Sequence, residues 1–246
     1  MGLFPEDHKI PVYDLLKFWM AEEFILNAET ENMEEACRVC LNDLLNRSLV
    51  MVSEKKINGD IKCCILHDVV REFCLKKLTE EKFMQLIVPY NPYQHLRYSK
   101  DSRLCIYIHD GLIKQLDDSE YQLDKIPMLE SEEAKRFGEC PRSLELIAHP
   151  TYKCNNVNPL HPFVTLRLVR VVHLLDVKLS SSTWTTAVQS LTHLRYLGIY
   201  VQEFDFKWVS HLQNLQTLEV NSDMRLTTSA AAMWKMTNLR HVNIKI

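Results

Sequence analysis

The last third of the chain repeats one spacing of aliphatic residues, and this repeat restricts the fold more than any other feature. Each copy has the form aliphatic-x-x-aliphatic-x-aliphatic. The copies begin at Val169, Leu194, Leu215 and Leu239, which are 25, 21 and 24 residues apart. Leucine-rich repeats of about 20–29 residues have this spacing, and each repeat adds one strand that is buried against its neighbours. The sequence therefore predicts an α/β leucine-rich-repeat solenoid over residues 161–246.

One polar position departs from the regular repeat. Regular repeats carry asparagine or cysteine eight residues after the first leucine. The chain has Gln202 and Asp223 at two of these positions. We therefore expect no asparagine ladder of the regular kind, and an irregular solenoid.

The first 86 residues follow a helical period instead. Apolar residues three and four apart predict three helices, one opening at Ile10-Pro11-Val12, one over residues 30–46 and one starting near Asp68. Between the last two helices, apolar strands at 48–52 and 61–66 flank Asn58-Gly59, which is a strong hairpin signal. This order is compatible with a winged helix, so the fold class expected for the whole chain is α+β.

The third helix is expected to bury one apolar face. The residues of that face are Val69, Val70, Phe73, Cys74 and Leu78. This expectation follows from their helical spacing alone.

Residues 87–160 are predicted to be a connecting region with degenerate first repeats. Strands are expected at 103–108 and 143–147, and the charged stretch 115–140 is expected to be a solvated loop or helical insertion.

The charge of the chain disfavours nucleic acid as a partner. The net charge is −3, and the second predicted helix holds Glu31, Glu34, Glu35 and Asp43 against Arg38 alone. A helix that enters a DNA groove needs cations for phosphate contacts. A winged-helix DNA-binding regulator nevertheless remains the alternative hypothesis.

The cysteines and the start of the chain favour the cytoplasm. Five of the eight cysteines fall in apolar patterns and are expected to be buried, reduced thiols: Cys37, Cys40, Cys63, Cys64 and Cys74. A zinc site is not expected, because one pair lies in a helix and the other alternates across a strand. No signal peptide is recognisable, and no apolar run approaches the ~20 residues of a membrane span.

Enzymatic chemistry is not expected of this chain. It has five glycines and no GxxxxGK[ST] phosphate loop, and its histidines are scattered without a nucleophile–base motif. We therefore predict no catalytic residue and no metal ligand.

Three segments carry a family resemblance: "LFPEDHKIPVYDLLKFWMAEEFI", "LNDLLNRSLVMV" and "LHDVVREFCL". They resemble plant nucleotide-binding leucine-rich-repeat disease resistance proteins of the coiled-coil class, such as the late blight resistance homologues of nightshades. The resemblance covers essentially the whole chain. It implies a winged-helix subdomain (1–86), the connecting region and early repeats.

The resemblance assigns a role to the pair at the third helix. In that family an "MHD" histidine contacts the β-phosphate of bound ADP. The matching residue is His67, with Leu66 in place of the methionine and Asp68 expected to support the site by capping the helix. The residue pattern alone also allows a plain N-cap aspartate beside a satisfied core histidine.

The resemblance also bounds the cofactor and the partners. ADP or ATP belongs to the complete family protein, a switch with weak ATPase activity, whose phosphate loop is missing here. We therefore expect a truncated receptor fragment that binds no nucleotide alone. The implied partners are the nucleotide-binding core of a resistance protein and a pathogen effector or host guardee, in plant defence and the hypersensitive response.

Overall fold

The computed structural model divides the chain into two units, Met1–Phe83 and Met84–Ile246. It describes residues 1–2, 4, 6–25, 32–81, 84–87, 103–108, 143–148, 154–157, 168–179, 185, 188–224 and 230–245. The predicted boundaries at 86 and 160 stay predictions, and the stretch 115–140 lies outside the described residues.

Among its described residues, the first unit has three helices and a three-stranded antiparallel sheet. The elements in chain order are β1 Ile10–Pro11, α1 Val12–Glu22, α2 Met33–Asn46, β2 Val50–Lys55, β3 Ile61–Leu66 and α3 Asp68–Glu80. The strand order is β1-β3-β2. The predicted sequence of helix, helix, hairpin and helix is confirmed. The short strand β1 is an addition, because Ile10-Pro11 was assigned to the start of a helix.

Local side chains fix where the helices begin and end. The Asn32 side chain accepts hydrogen bonds from the N–H groups of Glu34 and Glu35, at 3.2 and 3.4 Å, and caps α2. Helix α2 therefore begins at Met33 rather than at the predicted residue 30. At the end of α1, Glu23 adopts a left-handed conformation with a φ of 57° and its N–H bonds the last turn.

The hairpin turn lies at Asn58-Gly59, as predicted. Gly59 has a φ of 90°, which glycine adopts without a steric penalty. The Asn58 side chain contacts both the N–H and the carboxylate of Asp60. Strand β2 is shifted toward this turn relative to the predicted 48–52, and its pairing with β3 is irregular around Glu54.

The core of the first unit lies between α1, α2 and the sheet. Its fully buried residues are Ile10, Val12, Leu15, Leu16, Cys37, Leu41, Val50 and Cys64. The expectation that Cys40 is buried was wrong, because it lies on the solvent side of α2 while Cys37, one turn earlier, faces the core. The predicted apolar face of α3 was also partly wrong, since Val69 and Phe73 are 68% and 58% exposed.

The second unit is a sheet in which all paired strands run parallel. Its strands are β4 Met84–Ile87, β5 Arg103–Ile108, β6 Ser143–Ala148, β7 Cys154–Val157, β8 Val171–Leu179, β9 Tyr196–Val201, β10 Thr217–Ser222 and β11 His241–Lys245. The order is β11-β10-β9-β8-β6-β5-β4, and β7 also pairs with β8. The strands predicted at 103–108 and 143–147 are both present.

The four sequence copies lie in one register. Leu197 pairs with Val172 on one side and with Leu218 on the other, and Leu218 pairs with Val242. Inside the sheet these positions are buried, and Leu197 and Leu218 are both 0% exposed. The spacing of the copies therefore corresponds to one strand each.

Asparagines link successive copies, but at a position that the sequence interpretation missed. Asn214, immediately before its leucine, donates to the Thr192 carbonyl at 3.0 Å. Asn238 donates to the Gln213 carbonyl at 2.7 Å. The ladder was expected at Gln202 and Asp223. There, the hydroxyl of Ser222, the residue before Asp223, donates a hydrogen bond to the Gln202 carbonyl.

Candidate functional site at the start of the third helix

His67 lies at the junction that the sequence singled out, between the last residue of β3 and the first residue of α3. Its carbonyl accepts the first helical hydrogen bond, from the Arg71 N–H at 2.8 Å. Its ring Nδ1 accepts from the Val69 N–H at 3.3 Å. His67 is therefore the N-cap of α3, and the prediction that Asp68 is the cap was wrong.

The cap determines which ring nitrogen of His67 carries the proton. A nitrogen that accepts a hydrogen bond has no hydrogen of its own, so the neutral imidazole keeps its hydrogen on Nε2. The residue is exposed. His67 thus presents one N–H donor to solvent at the N-terminus of a 13-residue helix.

Asp68 occupies the first turn of α3 and is exposed. The partial positive charge at a helix N-terminus stabilises a carboxylate there. Because the cap is supplied by the His67 ring, the contribution of Asp68 is electrostatic.

The N-terminal segment braces the same helix. Arg71, one turn after His67, donates from Nε to the Phe4 carbonyl at 2.7 Å. Gly2 packs so closely on α3 that an added Cβ would lie 2.6 Å from the Cβ of Cys74. No motif signals these contacts, which join residues 67 or more positions apart in sequence.

Beside the histidine, α3 presents an apolar pair to solvent. Val69 and Phe73 are four residues apart and so lie on one face of the helix. The exposed surface of α3 therefore combines a ring donor, a carboxylate and two apolar side chains.

Comparison with known proteins finds a family similarity within this unit. Residues 3–74 match the family model described as the disease resistance protein winged helix domain. The first unit is therefore similar to a disease resistance winged helix domain, and we call it the winged helix domain below. The match includes His67, Asp68 and the first turns of α3, so the candidate site lies inside the matched region.

The chain is similar to plant disease resistance proteins over nearly its whole length. It is 31% identical to the disease resistance RPP13-like protein 3 of Arabidopsis thaliana over 250 residues, covering 98% of this chain and 26% of the relative. It is 27% identical to the late blight resistance protein homolog R1B-23 of Solanum demissum, covering 99% of this chain and 19% of the relative. The chain thus spans about a fifth to a quarter of these relatives.

The winged helix domain has an acidic second helix, as its sequence suggested. Glu34 and Glu35 lie in the first turn of α2, and Arg38 is engaged by Glu34 at 2.8 Å. A surface of this charge repels phosphates. Together with the family match, it disfavours the alternative DNA-binding interpretation.

An exposed ion network joins the three strands of the winged helix domain. Glu54 on β2 contacts Lys62 on β3 at 2.8 Å and Lys9, just before β1, at 2.7 Å. Hydrogen bonds from Lys62 and then Lys9 lower the pKa of the Glu54 carboxyl to about 2. The network joins the β2–β3 hairpin to the residue before β1 but lies outside the candidate site.

In the second unit, polar side chains connect neighbouring strands across one face of the sheet. The buried Tyr196 donates its hydroxyl to Glu219 at 2.9 Å, and Tyr200 donates to Asp223 at 2.8 Å. Gly198 leaves room for this arrangement, since an added Cβ would lie 3.1 Å from the Tyr196 ring. These contacts follow the strand register, which the sequence spacing alone did not assign to individual pairs.

The described ranges contain neither a group of potential metal ligands nor a membrane-spanning helix. Within them, no three histidine, cysteine, aspartate or glutamate side chains are grouped as metal ligands. Within the same ranges, no helix is long and apolar enough to cross a membrane.

Proposed function

We propose that this chain acts as part of an intracellular plant disease resistance protein. The winged helix domain contributes to ADP-dependent autoinhibition, and the repeats contribute to protein–protein recognition. Both roles belong to a larger assembly, because the chain spans only part of its curated relatives. The observation that carries the proposal is the exposed His67 donor at the N-terminus of α3, inside the region that matches the family.

The residues at this site fit a phosphate group. A helix N-terminus favours anions because its first N–H groups lack helical partners. The Nε2–H of His67 adds a side-chain donor, and a donor–phosphate bond is stronger than a bond between neutral groups. The β-phosphate of ADP would supply the negative charge at this point, and a nucleotide-binding core would supply the other contacts.

The site can influence a conformational switch because the His67 donor moves together with helix α3. The helix is held by Arg71 and by the close contact of Gly2 with Cys74. A ligand that binds one arrangement of the helix better than another shifts the population toward that arrangement. Val69 and Phe73 would add apolar contact with the nucleotide-binding core in the closed state.

The repeats support the recognition role by their regularity. Copies paired strand by strand through one register are what a leucine-rich-repeat solenoid requires. We interpret the second unit as such a solenoid. A pathogen effector or a host guardee would be its partner.

The role of His67 can be tested in a complete relative. In a chimera, residues 1–83 of this chain replace the matching segment of full-length RPP13-like protein 3. The ADP that the purified chimera retains is then measured by chromatography. We expect His67→Ala to reduce retained ADP at least several-fold. Equal ADP retention in the parent chimera and in His67→Ala would contradict the assigned role.

Asp68 gives a second readout in the same chimera. Asp68→Val removes a carboxylate whose interaction with the helix dipole contributes about 0.3–1 kcal/mol. We expect basal cell death to rise on transient expression in leaves. Asp43→Val, an exposed aspartate on α2, is the matched control and should leave the response unchanged. A rise in both variants would assign the effect to general destabilisation.

The isolated chain is expected to bind ADP negligibly. A single ring donor and one helix terminus cannot enclose a nucleotide, since small-molecule sites bury most of the ligand. Micromolar ADP affinity in a calorimetric titration of residues 1–246 would overturn this expectation.

A further inference from the structure

A cleft opens between helix α2 and the hairpin turn of the winged helix domain. Its volume is about 330 Å³, and it is lined by residues of α1, α2, the turn and the start of β3. Ligand pockets in proteins measure about 300–1,000 Å³, so this cleft has the size expected for a small ligand group. His67 does not line the cleft, which is therefore separate from the candidate site described above.

The floor of the cleft is apolar. Val12 and Leu41 are buried, and Ile61 is half-buried. All three pack in the core of the domain, so the floor is held in place by three different elements. Such a floor favours a ligand with an aliphatic part, because contact between the two removes apolar surface from water.

The rim of the cleft carries two carboxylates. Glu35 is exposed in the first turn of α2, and its carboxylate has no hydrogen bond or ion pair with any residue that the structure describes. On the opposite element, the Asn58 side chain donates to Asp60 Oδ2 at 2.7 Å and accepts from the Asp60 N–H at 3.2 Å. Asp60 is thereby held in position, and its Oδ1 has no donor within the described part of the chain.

The positive charge at the rim is already engaged. Among the described residues that line the cleft, Arg38 is the only cation, and its Nη2 contacts Glu34 at 2.8 Å. The carboxylates of Glu35 and Asp60 therefore remain uncompensated. Asn42, seven residues after Glu35 on the same face of α2, adds an exposed amide oxygen as a further acceptor.

The side chain of arginine combines the properties that this cleft selects. Its aliphatic stem can cover apolar surface while its charged head stays at the rim. Its guanidinium is planar and has five N–H donors in a fixed arrangement, so it can bond two carboxylates at once. An ammonium group is a compact and more strongly hydrated charge, and an anion would be repelled.

We propose that the cleft between α2 and the hairpin turn binds an arginine side chain of a partner polypeptide. The stem of that arginine lies on Val12, Leu41 and Ile61, and its guanidinium donates to Glu35 and Asp60. This arginine-binding cleft goes beyond the proposed function. Because no nucleotide takes part, the cleft is tested on the chain alone, and a failure there leaves the role of His67 untouched.

A nuclear magnetic resonance titration of the full chain with short peptides tests the proposal. The probe is acetyl-Ala-Arg-Ala-amide, and its control carries citrulline, in which a neutral urea group replaces the guanidinium. We expect saturable shifts of the backbone amide signals of Glu35, Arg38 and Asp60. The citrulline peptide should bind at least about fivefold more weakly, because hydrogen bonds between charged groups are stronger than those with a neutral group.

Two variants of the chain locate the binding surface. Glu35→Gln removes one of the two rim carboxylates and should weaken binding of the arginine peptide by about threefold or more. Glu72→Gln is the matched control, since Glu72 is an exposed carboxylate on α3 that does not line the cleft. It should change the affinity less than about twofold. The amide spectra recorded in the titration also show that both variants are folded.

Three results would overturn the proposal. Equal affinity of the arginine and citrulline peptides would show that the cleft does not recognise the charge. Equal or tighter binding of acetyl-Ala-Lys-Ala-amide or of spermidine would show a general cation site instead of an arginine site. Saturable shifts confined to residues away from the cleft, with an affinity unchanged by Glu35→Gln, would place the binding elsewhere.

Discussion

At the scale of single residues, small chemical details decide which side chains take part in the candidate site. His67 could be located from the "LHDVVREF" stretch, but its role as the N-cap could not. A histidine and an aspartate are both acceptable acceptors at a strand–helix junction, and only the backbone geometry selects between them. Val69 and Phe73 follow a helical period but lie outside the core, so periodicity alone assigned them to the wrong environment.

The thiols of the winged helix domain should differ strongly in reactivity. Burial raises the pKa values of Cys37 and Cys64 to about 11, whereas Cys40 is exposed. The thiolate is the reactive form, so the two buried thiols are protected both sterically and chemically. Mass spectrometry after brief iodoacetamide treatment at about pH 8 should find Cys40 alkylated, with Cys37 and Cys64 modified only after denaturation. Equal labelling of all three in the native chain would contradict the burial of Cys37 and Cys64 in the core.

Glu54 should make the stability of the β2–β3 hairpin depend on pH. Its ordinary pKa of 4.5 is lowered to about 2 by bonds from Lys62 and Lys9. A lowered folded pKa means that the stabilisation is complete above pH 4.5 and is lost as the pH falls toward 2. Denaturant unfolding over this range should show a steeper loss of stability for the parent chain than for Glu54→Gln.

The size of this effect should be modest, because the three groups are exposed and the interaction is screened by salt. Raising the salt concentration should therefore bring the two pH profiles together. Parallel profiles at low salt would show that the Glu54 network does not stabilise the folded chain.

At the scale of elements, caps and turns fix boundaries that hydrophobic patterns leave open. The pattern placed α2 within residues 30–46, and the Asn32 cap moves its first residue to Met33. The hairpin was located correctly because Asn58-Gly59 specifies a turn by its own conformational preference. The two-residue strand β1 could not be recognised, because it is defined by pairing with β3, more than 50 positions away.

The Asn32 cap gives a direct test at this scale. Replacing Asn32 with alanine should lower the free energy of unfolding of the winged helix domain by about 1 kcal/mol, because two N–H groups lose their acceptor. Asn42→Ala, at an exposed position inside the same helix, is the control and should leave the free energy of unfolding within about 0.5 kcal/mol of the parent. Thermal and denaturant unfolding followed by circular dichroism would measure both. Equal losses in the two variants would show that the cap contributes no more than an ordinary surface side chain.

At the scale of the whole molecule, the two periods of the sequence correspond to two units. The helical period and the repeat spacing are properties of long stretches, so both survive local irregularity and both predicted their elements. The links between copies were not predictable in the same way. Asn214 and Asn238 occupy an unexpected position, and their acceptors are backbone carbonyls that leave no trace in composition.

In each copy, two backbone N–H groups donate to one carbonyl of the previous copy. These hydrogen bonds also determine the order in which the sheet would unfold under mechanical force. The Arg195 and Gln216 carbonyls each bond the copy that follows, so tension applied at Lys245 acts first on the contacts of β11 with β10. The chain should then unfold in steps, and each step should release one copy of 21–25 residues. Each step lengthens the chain by about 7–9 nm at full extension. In a single-molecule pulling experiment, the copies would unfold one after another, and the increase in contour length at each step would give the number of residues in one copy.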